Sequence, residues 1–276
     1  MDVFIAGGDR RNAHLVRLLR AEGLDARAAG LEKCALEGVS HAPLAAAAEA
    51  DWVLLNSPVK CELAERPFGL GELLSCLRPG ARLVFLGPAA PSAELEGFQV
   101  FDLTKDEGFL RRNAALTAEG ALFAAMRAQE RALGDCECLV VGWGRIGRAL
   151  TEMLVALGAR VTVASRAEKS RRQAQERGAQ AVETAALPGA LSGKQLIFST
   201  PPFPVLKEAE LARVDREACI IDLSSPPYGV DVEAAHRLGL RAWREPGLPG
   251  RYCPESAALA IAAAFQELRK GGNKDA

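Results

Sequence analysis

Six residues, Gly142-Trp143-Gly144-Arg145-Ile146-Gly147, carry the most readable chemistry of this 276-residue chain. Their spacing is G-x-G-x-x-G. The pattern has meaning only between an apolar strand and an amphipathic helix. Both flanks are present: Cys138–Val141 reads as the strand and Arg145–Leu157 as the helix. In that setting Gly142 allows a tight turn, Gly144 lets the backbone approach a pyrophosphate, and Gly147 lets helix and sheet pack closely. Free N–H groups at the helix start then receive phosphate charge. The motif therefore predicts a dinucleotide site in the second half of the chain.

The next strand, Arg160–Ala164, decides which dinucleotide. An acidic residue at its end would hold a ribose 2′-hydroxyl. Ser165-Arg166 stands there instead, 23 residues beyond Gly142. A hydroxyl and a planar guanidinium suit a 2′-phosphate. The expectation is NADP rather than NAD, with NAD left open. Lys169 adds positive charge, whereas Arg171 and Arg172 read as a solvated helix face, and Glu168 weighs slightly against NADP. Two further strand ends, Ser199-Thr200-Pro201-Pro202 and Asp222-Leu-Ser-Ser225-Pro-Pro227, should border the nicotinamide, because open parallel sheets bind ligands beyond their carboxyl ends.

The elements that must position these residues form two Rossmann-like halves. The first holds apolar runs at Val3–Ala6, Asp51–Leu55, Arg82–Leu86 and, more weakly, Gln99–Leu103. The first run ends at Gly7-Gly8, and a helix with Leu15, Leu18 and Leu19 on one face follows. The second half adds strands at Leu196–Ser199, Cys219–Leu223 and Leu240–Trp243, with a charged helix over Ala167–Arg177. Such alternation implies parallel strands joined by crossover helices. The expected fold is α/β with two parallel sheets. An N-terminal domain spans 1–113 and a nucleotide domain 114–250, with a linking helix over 114–133. A C-terminal helix starting near Pro254, within 251–276, packs back on the first domain, and a cleft lies between the domains. Net charge is −1, which gives no electrostatic reason to expect nucleic acid or an anionic membrane. No apolar run spans a bilayer, no signal peptide is evident, and the seven scattered cysteines read as cytosolic thiols without zinc-site spacing. Only the tail from Gly271 to Ala276 suggests disorder.

The chain resembles the A subunit of dipicolinate synthase, the enzyme of spore-forming bacteria that makes pyridine-2,6-dicarboxylate. The resemblance runs along most of the chain. It rests on Gly7-Gly8-Asp9 with Arg11, on Asn113 with Thr117-Ala-Glu119-Gly120, and on the nucleotide motif and Ser165-Arg166. Asp222-Leu-x-Ser225-x-Pro227 and Pro246-Gly-Leu-Pro-Gly250 followed by Pro254 complete it. The Pro-Gly-Leu-Pro-Gly segment and Glu119-Gly120 are the more distinctive parts. Pro226 stands where a basic residue is expected, and Ser199 replaces an expected Asn.

The resemblance implies a cytoplasmic, pyridine-nucleotide-dependent oxidoreductase subunit. It would act on a dihydrodipicolinate-level precursor, beside a second, flavoprotein-like B subunit; homo-oligomer formation stays open. Such a reaction needs hydride transfer, proton removal and binding of two carboxylates, which call for Arg forks or backbone N–H groups. Arg11 and Arg251 are the candidate forks, with Asn113, Gly120 and Ser225 as further substrate contacts. Glu119 and Asp222 are the candidate proton acceptors. His14 and His236 lie on expected helices, and His41 lies in a polar loop. Three other classes compete. A hydroxyacid dehydrogenase needs a histidine near the last strands, and positions 239–256 hold none. A shikimate-type reductase wants a Lys–Asp pair, for which Lys60 has no aspartate. An NADP(H)-sensing module would bind cofactor without turnover.

Overall fold

The structure, a computed structural model, describes residues 1–56, 58–59, 61–89 and 93–272. Lys60 and the tail beyond Gly272 lie outside these residues. The chain opens with β1 (Val3–Ala6), α1 (Arg10–Ala21), β2 (Ala26–Ala29), β3 (Trp52–Leu55), α2 (Leu70–Ser75), β4 (Arg82–Phe85) and β5 (Gln99–Asp102). After α3 (Glu107–Ala128) come β6 (Glu137–Val141), α4 (Arg145–Ala156), β7 (Arg160–Ala164), α5 (Glu168–Glu176), β8 (Gln180–Val182) and α6 (Leu187–Ala190). The chain ends with β9 (Leu196–Ser199), α7 (Glu208–Leu211), β10 (Cys219–Asp222), α8 (Val232–Arg237), β11 (Arg241–Arg244), α9 (Leu248–Tyr252) and α10 (Pro254–Gly272).

Two compact units result: Met1–Asn113 with Pro249–Ala276, and Ala114–Leu248. Unit 1 holds a five-stranded sheet in the order β2-β1-β3-β4-β5, every pair parallel. Unit 2 holds a six-stranded sheet in the order β11-β10-β9-β6-β7-β8, also parallel throughout. The central strands are continuous apolar runs because helices cover both faces of a parallel sheet. Val3–Ala6 and Leu196–Ser199 are buried at every position.

In unit 1 the helix α10 places Ala258, Ile261, Ala262 and Phe265 into one core with Leu15, Val16 and Leu19 of α1. Phe265 meets Trp52 edge to face at 5.4 Å. The unit 2 core gathers Leu139, Ile197, Ile220 and the apolar side of α8.

Several element boundaries differ from the sequence reading. The long helix begins at Glu107 rather than 114, because the Asp106 carboxylate accepts the Phe109 N–H at 2.5 Å and caps its first turn. It stops at Ala128 rather than 133, where the Arg241 guanidinium and the Cys219 thiol donate to the last carbonyl. Two edge strands, β2 and β8, carry no apolar signal: Ala-Arg-Ala-Ala and Gln-Ala-Val become strands through their partners' backbones. The segment read as a Pro-Gly-Leu-Pro-Gly turn includes the start of the short helix α9.

Candidate functional site

Unit 2 has the strand order of the doubly wound nucleotide fold, with β6 between β7 and β9. The order reverses between β6 and β9, where such sheets bind their ligand. The glycine turn sits there. Gly142 has φ +101°, and a Cβ on it would lie 2.4 Å from Thr200 Oγ1. A Cβ on Gly147 would lie 2.3 Å from the Gly142 carbonyl oxygen. Only glycine permits either approach. Gly144, the N-cap of α4, has open space where its Cβ would be, and no side chain caps the helix start. The result is a helix start left uncapped beside open space, which fits a pyrophosphate.

Around the turn lies a cavity of about 360 Å³. Gly142, Gly144, Ser165, Arg166, Thr200 and Pro201 all line it, as their motifs led one to expect. Thr200 is fixed by donating from both its N–H (3.0 Å) and its hydroxyl (2.9 Å) to the Val141 carbonyl. Trp143, Ser170, Thr184 and Phe203 line it too; the motif reading had given them no role. Phe203 is 41% exposed, and the Arg166 guanidinium lies 5.1 Å above its ring. A stacked guanidinium keeps its in-plane N–H donors free to form a fork. An exposed aromatic two residues beyond a strand-end Thr-Pro was the signal available for Phe203.

Four readings of the cofactor site need correction. Arg171 is no solvated bystander: it donates to the carbonyls of Ser165 (2.9 Å) and Arg166 (2.6 Å), holding the loop after β7 in shape. Lys169 does not line the cavity. It faces a separate groove with Glu168, Arg172, Gln173 and Glu176, because the helix turns Ser170, not its neighbour, inward. Glu168 pairs with Arg172 on that outer face, so it does not oppose a phosphate. Arg145 and Ile146 open α4 and do not line the cavity either.

The candidate catalytic and substrate residues fall differently. Asp222 is 1% exposed and accepts four hydrogen bonds, from Ser224 N–H (3.1 Å) and Oγ (2.7 Å) and from the N–H groups of Gly229 and Val230 (3.1 Å each). With its lone pairs committed, it organises the loop after β10 and is not an open proton acceptor. Ser225, in that loop, is exposed and accepts the Tyr228 N–H through its carbonyl at 3.0 Å. Ser199 is fully buried under Gly229, where a Cβ would come within 2.1 Å of its hydroxyl. It therefore packs instead of facing the cavity.

Arg11 is not an open fork. Its Nε (2.9 and 3.1 Å) and Nη2 (2.7 Å) donate to the Asp9 carboxylate. The pair presses on Gly250, where a Cβ would lie 2.8 Å from both Arg11 Nε and Asp9 Oδ2. That contact explains why the Pro-Gly-Leu-Pro-Gly segment ends in glycine. Arg251 is exposed, with its guanidinium 5.1 Å from the Tyr252 ring. On α3, Asn113 is half-buried, Glu119 exposed and Gly120 buried.

The histidines offer no base at the cavity. His236 Nε2 is tied to the Ala242 carbonyl at 2.8 Å, and burial holds the His14 imidazole below its ordinary pKa. Burial pushes the Cys138 thiol up to about 12, so it is inert. All seven cysteines are free; Cys136, Cys138 and Cys219 are buried, and the other four are half-buried.

Residues 109–224 match the family described as the NAD binding domain of D-isomer specific 2-hydroxyacid dehydrogenases. The A subunit of dipicolinate synthase from Bacillus subtilis (strain 168) is 28% identical over 156 residues. That match covers 56% of this chain and about half, 52%, of the relative's length. The crystal structure of the Bacillus halodurans A subunit of the same enzyme superposes with a TM-score of 0.86 at 23% identity, covering 97% of each chain. That of the Bacillus subtilis counterpart gives 0.84 at 21% identity, covering 100% of this chain and 98% of the other. At these identities the two structures speak for the fold, which is that of two-domain dehydrogenases. The resemblance read from the motifs is borne out as a similarity, and residues 109–224 are similar to the NAD binding domain of a dehydrogenase family.

Proposed function

From its similarity to dipicolinate synthase A subunits, we propose that the chain is an NADP-dependent oxidoreductase subunit that makes pyridine-2,6-dicarboxylate from a dihydrodipicolinate-level precursor. The observation that carries this reading is the open phosphate cradle at Gly142–Gly147, with the Arg166 fork at the end of β7. Bound nicotinamide would supply the hydride acceptor. The chain's own residues bind and orient. The N–H groups at the start of α4 hold the pyrophosphate. Ser165 and Arg166 take the 2′-phosphate, and Arg171 keeps their loop rigid. Thr200 and Pro201 shape the wall.

Loss of a proton accompanies the oxidation, and exposed Glu119 is the acceptor we assign to it. Asp222 serves by holding the Ser224–Gly229 loop. Asn113, Gly120, Ser225 and Arg251 remain the proposed substrate contacts, and Arg11 acts through its pair with Asp9. A B subunit is the proposed partner, and the cytoplasm the proposed compartment.

The test is absorbance at the NADPH band after mixing the chain with enzymatically generated dihydrodipicolinate, with and without a B subunit. The expected result is NADP-dependent growth of the band, faster than with NAD. No growth under either condition, with cofactor binding intact, would reduce the chain to an NADP(H)-binding module.

A further inference from the structure

Unit 2 contains a second stacked arginine, at the carboxyl ends of β10 and β11. Arg244 is the last residue of β11, and its guanidinium lies 4.3 Å above the Tyr228 ring. Its register partner on β10 is Asp222. An ion pair between the two would be the simple outcome, yet none forms. Asp222 spends its oxygens on Ser224, Gly229 and Val230, and the guanidinium turns to the ring instead. Among the described residues Arg244 donates to no carboxylate.

Tyr228 is held in an unusual conformation to make this stack. It is the only described non-glycine residue with positive φ, at +69°. A bulky residue there is a genuine outlier that persists only where its surroundings over-determine it. They do so here. Its own N–H is tied to Ser225, and the next two N–H groups, of Gly229 and Val230, are tied to buried Asp222. Strain of this kind gathers at ligand clamps. The ring covers the guanidinium face and Arg244 is exposed, which leaves its N–H edge to a ligand. That edge matches a carboxylate in a bidentate pair. Arg11, by contrast, has its fork filled by Asp9.

We propose that Arg244, stacked on Tyr228, is the carboxylate-binding fork of unit 2, and that it receives one carboxylate of the dihydropyridine-dicarboxylate substrate and of its planar pyridine-2,6-dicarboxylate product. Tyr228 is a positioning residue that sets the plane of the fork. This assignment rests on the function proposed above. The test is calorimetric titration of the NADP-loaded chain with pyridine-2,6-dicarboxylate. Arg244→Ala should weaken dicarboxylate binding by about tenfold or more, the order expected for a lost charge-assisted pair. Arg244→Lys should recover only part of it, since an ammonium cannot pair bidentately. Tyr228→Phe should bind like the parent and Tyr228→Leu like Arg244→Ala. NADP affinity should be parental in all four, which separates a lost fork from a damaged fold. Parental dicarboxylate affinity in Arg244→Ala, or full recovery in Arg244→Lys, overturns the fork. A parent chain that binds NADP but no dicarboxylate overturns the proposed function, and the fork with it.

Discussion

The turn after β1 and the turn after β6 occupy the same place in two similar sheets, yet only one is built for phosphate. Gly142-Trp-Gly-Arg-Ile-Gly147 presents an uncapped helix start, with empty space at Gly144. The corresponding run Gly7-Gly-Asp-Arg-Arg-Asn12 has Asp9 at the second glycine position and Asn12 at the third. Asp9 caps α1 by accepting the Arg11 N–H at 3.0 Å, so the helix start already holds a carboxylate. Asn12 is fully buried and fills the space beside Gly8, where a Cβ would come within 2.2 Å of its side chain. The ends of the second strands differ as well. Arg166 leaves its fork open, whereas Glu32 accepts the N–H groups of Gly30 (2.7 Å) and Glu65 (3.2 Å). At these two strand ends unit 1 fills the space with its own side chains, and unit 2 leaves it for a ligand. One fold serves two purposes through a few side chains.

The contrast can be broken most severely at Gly147. Gly147→Val drives side-chain atoms into the Gly142 carbonyl, and overpacking costs about 1–3 kcal/mol or more before lost phosphate contacts are added. NADP binding, followed by Trp143 fluorescence, should disappear, while Asn12→Ala in unit 1 should leave it unchanged. Binding that survives Gly147→Val would remove the cradle from the argument. Arg166→Asp comes next. Losing a charge-assisted fork should cost on the order of 1.5–3 kcal/mol of NADP affinity and spare NAD. Equal calorimetric affinities of the parent for both cofactors would contradict the assignment.

Asp9→Ala should have a smaller effect, on stability and not on cofactor binding. Loss of an N-cap costs about 1 kcal/mol. The urea midpoint should fall while NADP affinity holds; a change in cofactor affinity would place Asp9 in the wrong site. The smallest effect expected is a pH dependence at Glu32. Burial by itself would raise its pKa, but backbone N–H bonds, from Glu32 itself, Gly30 and Glu65, outweigh it and hold the carboxyl below the ordinary glutamate value. A lowered folded-state pKa adds stability above the unfolded value, and that stability is lost as pH falls through the folded one. The stability gap between the parent and Glu32→Gln should be constant near neutrality and shrink in acid. A gap that widens in acid would reverse the sign.

The strongest elements were legible because their signal is local. Val3–Ala6, Arg160–Ala164 and Leu196–Ser199 are apolar runs long enough for a buried strand, and the spacing of Gly142, Gly144 and Gly147 is read within six residues of chain. The proposed cofactor preference is read from Ser165-Arg166 for the same reason: a strand end fixes where a side chain starts. Ala26–Ala29 and Gln180–Val182 were not legible, since an edge strand can take its conformation from the neighbour that pairs with it. The end of α3 at Ala128 was set by donors from Arg241 and Cys219, more than 90 residues away.

What the sequence alone determined is where the glycines, the apolar strands and the charged strand ends lie, because these depend on sterics and spacing along the chain. Only the tertiary structure decided which charges remain available. Arg11, Arg166 and Arg244 look alike in the sequence. Asp9 fills the first fork, while the rings of Phe203 and Tyr228 hold the other two without consuming their N–H edges. A side chain's freedom to bind depends on which neighbour reaches it first, and for Phe203 and Tyr228 that neighbour comes from another part of the chain.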